Sequence, residues 1–292
     1  LHEYLSFWRL LRARPHQSVA ELADKGGLLY RRFWQPLAVA VLNTEAEHGA
    51  ASLLVPVLRE TFGRGAGACR PLVAAVGLSE SFVDPALAWL DLRGGRLFTG
   101  SRVRALGFEG GRAARIDLGG EIVDVGAQDV VVLAVPPGVA ADLLPGLTVP
   151  TEFRPIVNAH FVLPGEAFDG VSITGVIGGT VEWIFRRGTL ASVTISSATS
   201  TVDEPAESLA PRLWSEVAAA LSLPPLPVPP WRIVKEKRAT FAQTPAQVAL
   251  RPHARTAFDN LALAGDWTDT GLPATIEGAI RSGATAAGSF VR

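Results

Sequence analysis

Along the chain, apolar positions first recur at helical spacing, then at strand spacing, and then alternate between the two. Residues 3 to 62 read as helices: "YLSFWRLLRA" and "LLYRRFWQPLAVAVLN" carry apolar side chains every three or four positions, and "EAEHGAASLLVPVLRETFG" adds another helix that stops at Gly63. "GRGAGACRP" (63–71) is a loop, and "DPALAWLDLRGG" (84–95) is a short helix halted by Gly94 and Gly95. From "RLFTGSRVRALGFEGGRAARIDLGGEIVDV" onward the period changes to that of strands, with Gly110-Gly111 and Gly119-Gly120 as turns. "DVVVLAVPP" (129–137) is continuously apolar, which predicts a strand buried on both faces.

Residues 153 to 200 alternate plainly ("PIVNAHFVL", "GVSITGVIG", "TVEWIFRRG", "LASVTISSAT") and predict a mostly antiparallel sheet. An amphipathic helix (204–223), a proline-rich linker "PPLPVPP" (224–230), the strand "WRIVKEKRATFA", and "NLALAGDW" leading into a last helix over 273–291 complete the pattern. The expected fold class is α/β with α+β character, two domains being interwoven.

Composition narrows the function. The net charge of −1 lacks the basic excess of a nucleic-acid binder. The single cysteine, Cys69, excludes an internal disulfide, fits a reducing, cytoplasmic setting, and is expected only to fill space. Five scattered histidines offer no metal-ligand spacing, so no metal site is expected. The longest apolar run, 130–141, is broken by two prolines and is too short to span a bilayer. The segment "LSFWRLLRAR" sets Phe7, Trp8, Leu10 and Leu11 against Arg9, Arg12 and Arg14. It reads either as peripheral membrane contact or as a core helix.

The candidate chemistry lies in "LALAGDWTDTGLPATIEGAIRSG" (261–283). A buried strand that ends in a small residue, turns, and enters a helix makes a ligand crevice in open α/β folds. Gly265 allows close backbone approach, Asp266 can accept hydrogen bonds from ligand hydroxyls, and Pro273 suits the first helical position. Ala274, Gly278, Ser282 and Ala286 form a stripe of small residues suited to close packing against a flat partner. One reading is a flat cofactor with a polyhydroxyl chain and phosphates on the helix N-terminus. The other is an ordinary strand–turn–helix, with Gly for geometry and Asp as a cap.

The same stretch resembles the C-terminal FAD motif of the flavin amine oxidase and phytoene desaturase superfamily. The resemblance implies FAD contacts at Gly265, Asp266, Gly271, Leu272, Pro273, Ala274, Thr275, Ile276 and Gly278. "GGRLFTGSRVRAL" followed by "DVVVLAVPP" resembles that superfamily's segment near the adenosine half, which brings in Val103 and Ala134. Residues 33–58, 78–95, 181–188 and 234–245 resemble the hydroxysqualene dehydroxylases of squalene and hopanoid synthesis. That implies reductive removal of a hydroxyl from a C30 isoprenoid, with reduced FAD as electron donor to the substrate. What reduces the flavin is not identified.

The alternatives are a related isoprenoid or carotenoid desaturase, a flavin amine oxidase, and a non-catalytic lipid-binding remnant. The resemblance also implies a G-x-G-x-x-G segment that the 292 residues do not contain. With no methionine in the chain, the expectation is a piece lacking its N-terminal part. Lys237 and Arg238 are the catalytic candidates, although each reads more readily as a solvated strand charge. Trp183, Phe241 and Trp267 could line an apolar substrate tunnel. The expected division is 1–80 and 151–245 as the substrate domain and 81–150 and 246–292 as FAD-binding segments.

Overall fold

The computed structural model describes residues 5–23, 25–74, 76–224 and 227–291. Residues 3 and 4 of the first predicted helix and 225–226 of the predicted linker lie outside them.

The helical spacing near the N-terminus produces α1 (Leu5–Leu11), α2 (Val19–Leu22), a π-turn at Tyr30–Trp34, α3 (Gln35–Leu42) and α4 (Ala51–Glu60). All but α2, which no quoted stretch covered, fall in the predicted helical stretches, and together they bury a core of Leu10, Trp34, Leu42, Leu54 and Leu58 among others. Ser18 opens α2 with a reciprocal cap, its hydroxyl accepting from Glu21 N–H at 3.3 Å while Glu21 accepts from Ser18 N–H at 3.2 Å. Trp34 Nε1 donates to Ser6 Oγ at 2.8 Å and so holds α1 beside the π-turn.

Residues 63–104 pack differently. The helix α5 (Asp84–Asp91) forms where it was expected, and Gly95 N–H closes it onto Leu90 O at 2.9 Å, but none of its residues is buried. Residues 96–104, expected to begin the strands, form none. Cys69, expected to fill space, is exposed on a short 3₁₀ turn. An antiparallel meander follows, β1 (Ala105–Glu109), β2 (Arg112–Asp117) and β3 (Ile122–Asp124), turning at the two predicted glycine pairs.

Next come β4 (Val131–Leu133) and α6 (Pro137–Leu143). The continuous apolar run around β4 predicts burial on both faces, yet Leu133 is buried while Val130 and Val132 are 51% and 42% exposed. The described residues cover only one face of that strand.

The alternating region folds as predicted into β5 (Phe153–Val162), β6 (Phe168–Gly175), β7 (Trp183–Gly188) and β8 (Leu190–Ile195), followed by α7 (Ala206–Ala220) and β9 (Trp231–Phe241). The strands form an antiparallel sheet in the order β6-β7-β8-β5-β9. One side chain in two points at α7, where Val157, Ala159, Phe161, Ile184 and Val193 meet Leu209, Leu213 and Val217 in a closed core. Asn43, in the left-handed conformation that ends α3, ties the helices to this sheet. Its amide donates to Arg154 O at 3.1 Å and Thr240 Oγ1 at 3.0 Å, and its Oδ1 accepts from Ser197 N–H at 2.6 Å.

The chain closes with α8 (Pro245–Val248), β10 (Leu261–Leu263) and α9 (Ile276–Gly288). β10 pairs in parallel with β4, so two segments 130 residues apart in sequence end side by side, pointing the same way. The last helix starts later than predicted. Thr275, not Pro273, sets its boundary: the Thr275 hydroxyl accepts from Gly278 N–H at 3.1 Å, and Pro273 lies three residues before the first turn.

Candidate cofactor crevice

Parallel strands leave their carboxyl ends open to a ligand where no further element crosses them. Here Ala134 follows β4 and Gly265 follows β10, and both border a crevice of about 740 Å³. The turn Ala134–Pro136 and the first residues of α6, Pro137 to Val139, form one wall, and the end of β9, from Glu236 to Phe241, forms another with Phe153. Asp142 of α6, Gly265, Asp266, Trp267 and Ala279 complete the lining.

Two glycines are required by this geometry. Gly265 has φ +139°, and a Cβ there would lie 2.5 Å from Trp267 Nε1. That indole is buried under the crevice and donates to Val135 O at 2.9 Å, joining the two strand ends. A Cβ on Gly278 would stand 2.7 Å from Pro273 O, so only glycine lets the helix start pass the turn.

The stripe Ala274, Gly278, Ser282 and Ala286 is buried, but within the protein: Ala286 packs on Ala262 and Ala264, and Ser282 Oγ accepts from Gly265 N–H at 2.7 Å. It does not face the crevice, which corrects the expectation of a flat partner on that stripe. Side chains at i, i+4 share one helix face, and here that face lies on β10. Ala279, off the stripe, is the α9 residue that lines the crevice.

Electrostatics at the turn follow from burial. Asp266 is partly buried, which pushes its carboxyl above the usual carboxylate range, while the Arg251 charge and the Trp267 N–H pull the other way. Ile276 and Glu277 N–H, in the first turn of α9, donate to no protein acceptor in the described residues.

Arg251 was not legible in the sequence. It is 7% exposed and fastens the turn: Nη1 donates to Leu272 O at 2.9 Å, and Nη2 donates to Asp266 O at 3.1 Å, Thr270 Oγ1 at 3.3 Å and Thr268 O. Burial lowers its pKa, and its Nε has no partner. Gln243 was missed likewise. Fully buried, it donates from Nε2 to Leu42 O at 2.6 Å and accepts from Ala274 N–H at 2.8 Å, joining the helical core to the turn. The partners of both lie 15 or more residues away, so no local motif marks them.

The predicted residues divide accordingly. Ala134, Gly265, Asp266, Trp267, Phe241 and Arg238 meet at the crevice. Leu272, Pro273 and Ala274 are buried behind it, with Gly271, Thr275 and Ile276 completing the turn and helix start. Val103 packs against the core under β4 and β10 without lining the crevice. Lys237 pairs with Asp203 at 2.7 Å and is absent from the crevice wall, whereas the Arg238 guanidinium lies 4.0 Å over the Phe153 ring at that wall. Trp183 borders a separate cavity of about 400 Å³ with Arg31, Arg32 and Gln35.

The sequence profile of the flavin containing amine oxidoreductases matches residues 10–289. The chain belongs to that family. Its relatives include the hydroxysqualene dehydroxylase of Rhodopseudomonas palustris, 49% identical over 98% of this chain and 68% of that protein. The hydroxysqualene dehydroxylase of Sinorhizobium fredii is 46% identical over the same shares. Among solved structures, the cyclohexylamine oxidase of Brevibacterium oxydans superposes with a TM-score of 0.59 at 14% identity, covering 99% of this chain and 75% of that one, a likeness of fold.

The family implies FAD, and the crevice suits it. A partly buried carboxylate can accept ligand hydroxyls, and Gly265 beside it lines the crevice, its missing Cβ making room for the Trp267 indole beneath. In α9, whose Ala279 lines the crevice, the N–H groups of Ile276 and Glu277 have no protein acceptor among the described residues and can serve an anionic or carbonyl group.

Proposed function

We propose that this chain carries out FAD-dependent reductive dehydroxylation of hydroxysqualene to squalene. The observation that carries the reading is the 49% identity to a hydroxysqualene dehydroxylase, sustained over 98% of the chain. The overall conversion exchanges a C–O bond for a C–H bond and releases water. When bound, the reduced flavin supplies the hydride and its electron pair.

The chain's own part is binding and orientation. Asp266 accepts hydroxyls of the cofactor chain, the first turn of α9 offers N–H donors, and Gly265 lines the crevice beside Asp266. Ala134 serves the adenosine half from the end of β4, and Val103 supports that wall from the core behind it. Phe153, Phe241 and Trp267 give the crevice apolar surface for an isoprenoid. Arg238, held against Phe153, can donate hydrogen bonds to a departing oxygen without itself giving up a proton. Lys237 is less suited, being engaged with Asp203. The substrate is an isoprenoid lipid, which makes peripheral contact with a membrane part of the same reading. Among the described residues no helix is long and apolar enough to cross one.

Anaerobic incubation with reduced FAD and hydroxysqualene, followed by mass spectrometry of the lipid extract, tests this. Squalene that forms only with reduced flavin is the expected product. A more unsaturated lipid formed with oxidised flavin would instead make the chain a desaturase.

A further inference from the structure

The helical unit presents a surface that the crevice does not use. On α1 and the turn that ends it, Leu5, Trp8, Arg9 and Arg12 follow the i, i+3, i+4, i+7 spacing of one helix face, and all four are exposed, Trp8 at 62%. The opposite face, with Ser6 and Leu10, is buried. Trp8 belongs to a chain of rings that crosses the unit: Phe7 lies 6.4 Å from Trp8 and 6.1 Å from Trp34, Phe33 lies 4.8 Å from Trp34, and Phe62 lies 5.5 Å from Phe33. Leu28 and Phe62, about half exposed, extend the apolar surface.

The charge is one-sided. Residues 5 to 34 contain Arg9, Arg12, Arg14, Lys25, Arg31 and Arg32 against Glu21 and Asp24, in a chain whose net charge is −1. Neighbouring carboxylates are engaged elsewhere: Glu21 with Ser18 N–H, Glu47 with the Tyr30 hydroxyl, and Glu60 with Arg64 and Arg281. None of the five arginines makes a side-chain hydrogen bond or ion pair in the described residues, although Arg9 and Arg12 flank an exposed indole.

We infer that α1 and the turn that ends it form a docking surface for an anionic lipid bilayer, with Trp8 and Leu5 at the interfacial level and Arg9 and Arg12 at the headgroups. The inference rests on the isoprenoid reading of the substrate and adds the surface and the lipid charge that it requires. A second exposed apolar region, 78–98 with Trp89, Leu92 and Phe98, does not fit this partner. It carries Glu80, Asp84 and Asp91 against Arg93 and Arg96, and Arg93 is stacked on Trp89 at 3.8 Å.

Co-sedimentation with vesicles of phosphatidylcholine, with and without phosphatidylglycerol, tests the assignment. The chain should pellet with the anionic vesicles and be released by salt. Arg9→Gln with Arg12→Gln should weaken binding about 30-fold, roughly fivefold for each cation at a bilayer surface. Trp8→Ser should weaken it in vesicles of both charges. Circular dichroism confirms that these surface variants fold.

Binding that ignores phosphatidylglycerol, or that falls with Trp89→Ser and Leu92→Ser and not with the α1 variants, would overturn the inference. So would a concentration-dependent dimer, lost in the α1 variants and seen without any vesicle binding. Turnover of detergent-dispersed hydroxysqualene should be unchanged in Arg9→Gln/Arg12→Gln. Failure of that turnover in the parent chain, with vesicle binding intact, would remove the dehydroxylase reading and leave the surface standing.

Discussion

The sheet β6-β7-β8-β5-β9 and the pair β4–β10 are both built from apolar strands, yet they solve different problems. In the larger sheet Val157, Ala159, Ala191 and Val193 are fully buried against α7, and the polar partners Asn158, Thr194, His160 and Ser192 take the other face. Alternation of that kind specifies one core and closes it. β4 and β10 are apolar at every position, but only β10 is buried throughout, and Val132 of β4 stays exposed. The sheet with α7 supplies rigidity. The pair supplies two parallel strand ends, where backbone and small residues can approach a ligand.

Substitutions can break this contrast, starting with the five-stranded sheet. Val193→Ser should cost about 4 kcal/mol, combining lost burial with an unpaired hydroxyl, and urea unfolding followed by circular dichroism measures it. Flavin affinity per folded molecule should be unchanged. Arg251→Met should cost about 3 kcal/mol because it strands the carbonyls of Asp266, Thr268 and Leu272, and here flavin affinity should fall as well. An Arg251→Lys variant cannot span the same carbonyls and should resemble Met more than wild type.

Glu182 sharpens the contrast through pH. Burial raises its carboxyl above the ordinary range even though it accepts from Ser196 N–H at 2.8 Å. The folded state therefore holds this proton to higher pH than the unfolded chain does. Its contribution to stability is greatest at acid pH and is lost as pH rises through the folded value. Glu182→Gln keeps an acceptor for Ser196 and removes the charge, so its Tm should exceed that of the parent chain at pH 8, with the gap closing below pH 4. At the bottom of the scale, Val132→Ser on the open face of β4 should change stability by less than about 0.5 kcal/mol.

Most elements of the fold were legible because their signals are local. The alternation in β5 to β9, the glycine pairs between β1, β2 and β3, and the helical spacing in α3 and α4 each decide a conformation within a few residues. At the crevice, Gly265 and Asp266 were legible from strand–turn–helix chemistry and from the resemblance. Pro273 misled because the Thr275 cap, two residues on, wins the helix start. Arg251 and Gln243 stayed hidden because their meaning lies in carbonyls and N–H groups that only the folded chain brings within reach. Nor could the spacing say whether the small-residue stripe of α9 would meet a ligand or the protein's own strand. The structure places it on β10.

The most direct measurement is a flavin titration that compares the chain with its Gly265→Val variant, read from the visible FAD bands and Trp fluorescence. The valine Cβ would fall 2.5 Å from Trp267 Nε1 at φ +139°, which disturbs the floor of the crevice without touching the core between the five-stranded sheet and α7. The account predicts saturable FAD binding by the parent chain and a loss of at least tenfold in the variant, while the unfolding signal of the β5–β9 sheet persists. Equal affinity in the two proteins, or no binding by the parent, would contradict the placement of the cofactor at the ends of β4 and β10.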